Sequence, residues 1–133
     1  MEYRYGSVDL PALVALYRAA DVMLVTPIRD GMNLVAKEFV ASRSDCLGTL
    51  VLGERAGAAE ELRSSLLVDP NDPEALVRTY RMALRMSSSE QRSRMRGLRR
   101  IVAGNDVFRW AAGFLDTLDS RTSKRRPLAL RLG

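Results

Sequence analysis

Nine consecutive residues, Asp30-Gly31-Met32-Asn33-Leu34-Val35-Ala36-Lys37-Glu38, gather groups suited to holding a sugar and an anion. Gly31 lets the backbone approach a ligand closely, and Asp30 can accept hydrogen bonds from sugar hydroxyls. If the string opens a helix, the amides near Leu34 and Val35 lack intrahelical partners and suit a phosphate. Glu38 follows Asp30 by eight residues, about two helical turns, so both carboxylates can face one crevice and accept from a diol such as ribose. A plain structural role accounts for the same residues: Asp30 as a helix cap and Glu38 as a solvated residue paired with a neighbour. Spacing alone leaves both readings open.

The elements around this string predict how it is held. Residues 9–20 read as a helix capped by Asp9, with Pro11 in its first turn and a buried face of Leu13, Leu16, Tyr17 and Ala20. Val22–Val25 is an apolar run too short for a helix and predicts a strand covered on both faces. A helix follows over 33–42, with Leu34, Val35, Glu38, Phe39 and Ala41 at helical spacing. Thr49–Leu52 and Leu66–Val68 predict two more strands, with Gly57 opening a short helix between them. Helices are predicted over 73–86, with Leu76, Tyr80, Ala83 and Leu84 on one side, from a Ser87/Glu90 capping box to about Val102, and over 106–118.

This order predicts an α/β fold: part of a doubly wound, Rossmann-like parallel sheet finished by C-terminal helices. Three strands are few for a sheet that usually has about five or six, so at least one strand edge should be open. In open sheets of this kind ligands bind at the carboxyl ends of the strands, where the Asp30 string falls.

Composition removes several chemistries. The chain has 133 residues, no histidine and one cysteine, which excludes Ser-His-Asp and Cys-His catalysis, imidazole metal ligation, an internal disulfide and a Cys-rich zinc site. No stretch approaches the roughly 20 apolar residues of a membrane helix, and no signal-peptide run opens the chain, so a cytoplasmic protein is expected. Charge is uneven: residues 1–80 carry 8 basic and 12 acidic groups, residues 81–133 carry 13 and 4. Arg92, Arg94, Arg96, Arg99 and Arg100, with the Lys124-Arg125-Arg126 tail, form a block that can meet nucleic acid. No aromatics interleave with it, so a solvated helix face is the favoured reading and nucleic acid is not the expected partner.

The Asp30–Glu38 string resembles the trehalose-6-phosphate synthase family of retaining glycosyltransferases. The similarity extends through Leu16–Val22, Leu24–Ala41, Leu50–Leu52, Ala56–Leu62, Val68-Asp69-Pro70 and Asn105–Val107 with Trp110, covering about residues 5–118. The resemblance implies the C-terminal, donor-binding lobe of a two-lobed enzyme that transfers glucose from UDP-glucose or GDP-glucose to glucose 6-phosphate, without a metal or other cofactor. It implies that Asp30 holds the transferred hexose and that the backbone of Gly31, Met32 and Asn33 grips its hydroxyls. Leu34 and Val35 would offer N–H groups to the diphosphate, and Glu38 would bind the ribose. The retaining chemistry it implies has the leaving phosphate deprotonate the acceptor, so the protein supplies positioning and electrostatic stabilisation.

Arg55 stands where the family commonly has an aromatic residue, which predicts a local packing change. The acceptor lobe, the first donor-lobe strands and the Arg and Lys that neutralise the donor phosphates are missing from these 133 residues. The chain alone is therefore expected to be catalytically silent, as a truncated gene, a split half pairing with an N-terminal lobe or a degraded copy. A non-catalytic interaction or regulatory module on the same fold is the competing reading. The expected organisation is a partial donor domain over 1–119 and a basic disordered tail over 120–133. Trp110 and Phe114 are expected in packing, Met23, Met82, Met86 and Met95 as gap fillers, Cys46 as unreactive and Lys37 in solvent or an ion pair.

Overall fold

The computed structural model describes Tyr3, residues 5–105, Ala112 and Leu115. The chain divides into two compact units, Met1–Ala103 and Gly104–Gly133. In the second, Ala112 and Leu115 are helical and exposed. The predicted helix over 106–118 otherwise lies outside the described residues, as do Trp110, Phe114 and the tail.

The first unit runs α1 (Leu10–Ala19), β1 (Val22–Val25), α2 (Leu34–Ser42), β2 (Thr49–Gly53), a 3-10 turn (Gly57–Glu60), β3 (Leu66–Val68), α3 (Pro73–Arg85) and α4, which spans Ser88–Gly104. The strands form a parallel sheet in the order β1-β2-β3, with Val22 opposite Thr49 and Val51 opposite Leu66. Helices cover both faces, as a doubly wound fold requires. On one face Tyr17, Phe39, Val40, Leu50, Leu52, Leu62, Met95 and Leu98 form a core from α1, α2, β2 and α4. On the other, Val51, Leu66 and Val68 pack with Ala83 and Met86 of the α3 region.

Local chemistry starts the helices. The Asp9 carboxylate accepts from Ala12 N–H and the Asp72 carboxylate from Ala75 N–H, each with proline in the first turn behind it. The Ser87 hydroxyl accepts from Glu90 N–H at 3.3 Å, half of the expected capping box.

Packing alters several sequence expectations. β2 is buried along its whole length, but β1 is an edge strand and Leu24 is 48 % exposed, so β1 is not covered on both faces. Its register pairs Leu24 with Val51, on the α3 side, and α3 packs over β2 and β3 instead. Gly57 opens the expected short helix, which takes the 3-10 form and ends at Glu60. In α2 the buried residues are Ala36, Phe39 and Val40, while Leu34, Val35 and Ala41 are exposed. Leu16, Leu84 and Met82 are exposed too, because no element among the described residues covers those sides of α1 and α3.

Candidate functional site

The Asp30–Asn33 loop leaves the carboxyl end of β1 and is pinned by the loop that leaves the carboxyl end of β2. Asp30 N–H donates to Arg55 C=O at 3.5 Å, Gly57 N–H to Asp30 C=O at 2.9 Å and Ala58 N–H to Met32 C=O at 2.7 Å. Asp30 and Ala56 thereby form an isolated parallel bridge beyond the ends of the strands. Two loops without regular structure become one hydrogen-bonded platform. The Arg55 side chain reaches away to Asp69 at 3.7 Å, so the departure noted at this position is a surface ion pair, and its carbonyl serves the platform.

Within the loop, Asp30 folds back on its own chain. Its Oδ1 accepts from Met32 N–H at 3.1 Å and its Oδ2 from the Asn33 amide at 2.9 Å. These bonds, the Met32 N–H first, hold the carboxyl below the usual aspartate pKa, so it is ionised at neutral pH. Asp30 is not the cap of α2. Asn33 is the cap, in the left-handed region at φ 67°, with its Oδ1 accepting from Ala36 N–H at 3.0 Å. A single side chain therefore starts the helix with its oxygen and orients Asp30 with its nitrogen.

This arrangement determines which backbone groups remain for a ligand. Both Met32 groups are committed, N–H to Asp30 and C=O to Ala58. Leu34 and Val35 open α2 and have no carbonyl one turn earlier in the helix to take their N–H groups. Both side chains are exposed beside those amides. Gly31 has open space: a Cβ placed there would meet nothing within 4 Å.

Glu38 lies further along α2, in a groove of about 460 Å³ between α1 and α2 lined by Leu10, Leu13, Val14, Tyr17, Arg18, Ala41 and Ser42. Asp30 is not one of the lining residues. Glu38 Oε2 accepts from the Tyr17 hydroxyl at 3.0 Å, so its partner comes from another helix. Lys37 binds both Glu61 oxygens at 3.0 and 3.1 Å, the ion pair expected of it, and ties α2 to the chain after the 3-10 turn.

Sequence reasoning missed the parts that hold the site. The 3-10 turn packs on the loop through the small residues Gly57 and Ala58, and the string of small residues at 56–59 was the available signal. Two arginines close helices at their carboxyl ends. Arg43, buried, donates from Nη1 to the carbonyls of Tyr17, Arg18 and Ala20. Arg99, from the basic block, donates to Val40 and Ala41 C=O at 3.1 and 2.8 Å. Arg94 pairs with Glu90 and donates to Ser64 C=O, whereas Arg92, Arg96 and Arg100 are exposed. No group of three or more metal-ligating side chains occurs among the described residues.

The profile of glycosyltransferase family 20 matches residues 1–120. The chain belongs to this family. The family 20 chain is 56 % identical over 118 residues to trehalose-6-phosphate synthase of Mycobacterium avium, covering 89 % of its own length and 24 % of that relative. It superposes with a TM-score of 0.80 and 42 % identity on the E. coli trehalose-6-phosphate structure bound with UDP-2-fluoro glucose, covering 85 % of this chain and 25 % of that one. Against the α,α-trehalose-phosphate synthase of Burkholderia xenovorans in complex with glucose-6-phosphate, the TM-score is 0.79 at 41 % identity, with 85 % and 25 % covered. The chain thus spans about a quarter of the length of the relatives it matches. No helix among the described residues is long and apolar enough to cross a membrane.

Proposed function

We propose that this chain supplies part of the nucleotide-sugar site of a glycosyltransferase that moves glucose from a nucleotide donor to glucose 6-phosphate, as in trehalose-6-phosphate synthesis. The observation that carries the reading is the platform at the carboxyl ends of β1 and β2, which presents an ionised Asp30 beside the open N-terminus of α2. The relatives support UDP-glucose as donor, since one is solved with its 2-fluoro analogue, and glucose 6-phosphate as acceptor, since another is solved with it. A cytoplasmic location goes with this reading.

In this reading the Asp30 carboxylate, already holding two donors, uses its remaining lone pairs to accept from hexose hydroxyls. The Leu34 and Val35 N–H groups, at the positive end of the α2 dipole, take diphosphate oxygens and stabilise the charge that grows as the sugar leaves. Gly31 leaves room for the sugar, with Met32 and Asn33 fixing the shape of the loop around it. Glu38 accepts from the ribose. No side chain acts as a nucleophile or general base: the chain orients and stabilises, and an acceptor-binding lobe completes the reaction.

Calorimetric titration of the folded chain with UDP-glucose and GDP-glucose tests this. The expected result is saturable binding that weakens on Asp30→Ala and on Glu38→Ala. A folded chain that takes up neither nucleotide sugar overturns it in favour of a non-catalytic module.

A further inference from the structure

Tyr17 is 7 % exposed, yet its hydroxyl emerges from the core onto a residue of the α1/α2 groove. Two contacts hold it in place. Its ring meets the edge of Phe39 at 6.2 Å and 81°, and Phe39 is the residue after Glu38. Its carbonyl accepts from buried Arg43 at 3.1 Å, and Arg43 is itself held by Asp45 at 3.1 Å and lies over the Phe39 ring. The phenol is therefore an ordered donor, fixed by the same helix that carries its acceptor. Glu38 is exposed and has several side-chain torsions to lose, so an unassisted carboxylate there would order only on meeting a ligand. The Tyr17 hydroxyl holds Oε2, while Oε1 accepts from no described residue.

We infer that Tyr17 is a positioning residue that pre-orders the Glu38 carboxylate in the α1/α2 groove, so that its second oxygen is presented to the diol of a bound ribonucleoside diphosphate. This rests on the donor-site reading of Glu38 and adds a group to it. Burial of Tyr17, followed by its bond to Glu38 and the charge of that carboxylate, raises its pKa to about 12, so it remains a donor throughout the neutral range.

Titration of the chain with UDP-glucose in four forms tests the inference: unchanged, Tyr17→Phe, Glu38→Ala and the double variant. Tyr17→Phe keeps the ring and its packing on Phe39, and thermal unfolding checks that it is as folded as the unchanged chain. Loss of this pre-ordering contact, counted at the net worth of a typical intramolecular hydrogen bond, should weaken binding about three- to tenfold. The double variant should bind no more weakly than Glu38→Ala alone, because Tyr17 acts only through Glu38. A second ligand, 2′,3′-dideoxy-UDP, should bind the unchanged and Tyr17→Phe chains equally. Full affinity in Tyr17→Phe, with Glu38→Ala weakened, overturns the role of Tyr17 and leaves the donor site standing. Losses that add in the double variant, or that persist with the dideoxy ligand, make Tyr17 merely structural. An unchanged chain that takes up no UDP-glucose, or a Glu38→Ala variant of undiminished affinity, removes the donor-site reading and the Tyr17 inference with it.

Discussion

Gly57 sits against the Gly31 peptide so closely that a Cβ at position 57 would collide with the Gly31 carbonyl oxygen and lie 3.2 Å from Met32 Cα. The two glycines have opposite reasons to be there. Gly57 is needed by the fold, since its N–H reaches Asp30 C=O only at this approach, while Gly31 faces open space.

Gly57→Ala should therefore separate the two loops and cost about 1–3 kcal/mol of stability, read from urea unfolding, and it should weaken nucleotide-sugar binding. Gly31→Ala should change stability by no more than about 0.5 kcal/mol and weaken binding alone, because only a ligand would meet the added methyl. Equal stability losses in the two variants would contradict the assignment.

Asn33 joins a left-handed backbone to a helix cap and to Asp30. Asn33→Ala loses all three advantages and should cost about 1–2 kcal/mol. Asn33→Gly keeps the backbone conformation and should cost less. Circular dichroism with denaturant unfolding gives the order, and the reverse order would show that the left-handed conformation is not what asparagine supplies.

Asp30 sets a pH dependence whose sign follows from its lowered pKa. The stabilisation is fully present above the ordinary aspartate value of about 4 and is lost as pH falls through the lower folded value. Asp30→Asn should therefore flatten the stability profile below about pH 4 and leave its alkaline side unchanged. Unfolding curves between about pH 2 and pH 7 check this.

Arg43 serves three carbonyls at the end of α1 from a position 4 % exposed. Arg43→Ala should cost about 2–4 kcal/mol, since buried acceptors lose their donor and Phe39 loses a neighbour. Arg43→Lys should recover only part of this, because one ammonium group cannot reproduce the guanidinium fork that also holds Asp45. Guanidinium unfolding midpoints for the two variants provide the comparison.

Sequence alone determined the number and order of the elements over 9–104 and the caps at Asp9 and Ser87. Those depend on apolar periodicity and on hydrogen bonds that span three residues, both of which are local. It also determined the Asp30–Glu38 string as the place to look, because a strand end followed by a glycine and a helix start is a local pattern. Tertiary structure decided which residues of that string do what. Asn33, and not Asp30, caps α2, because the platform formed with Arg55–Ala58 draws Asp30 back onto Met32. The Tyr17–Glu38 and Arg99–Val40 bonds join residues 21 and 59 apart, and no periodicity marks such pairs. The exposure of Leu24, Leu34, Val35 and Leu84 was likewise beyond local reading. An apolar side chain is buried only where another element covers it, and that coverage is a property of the assembled fold.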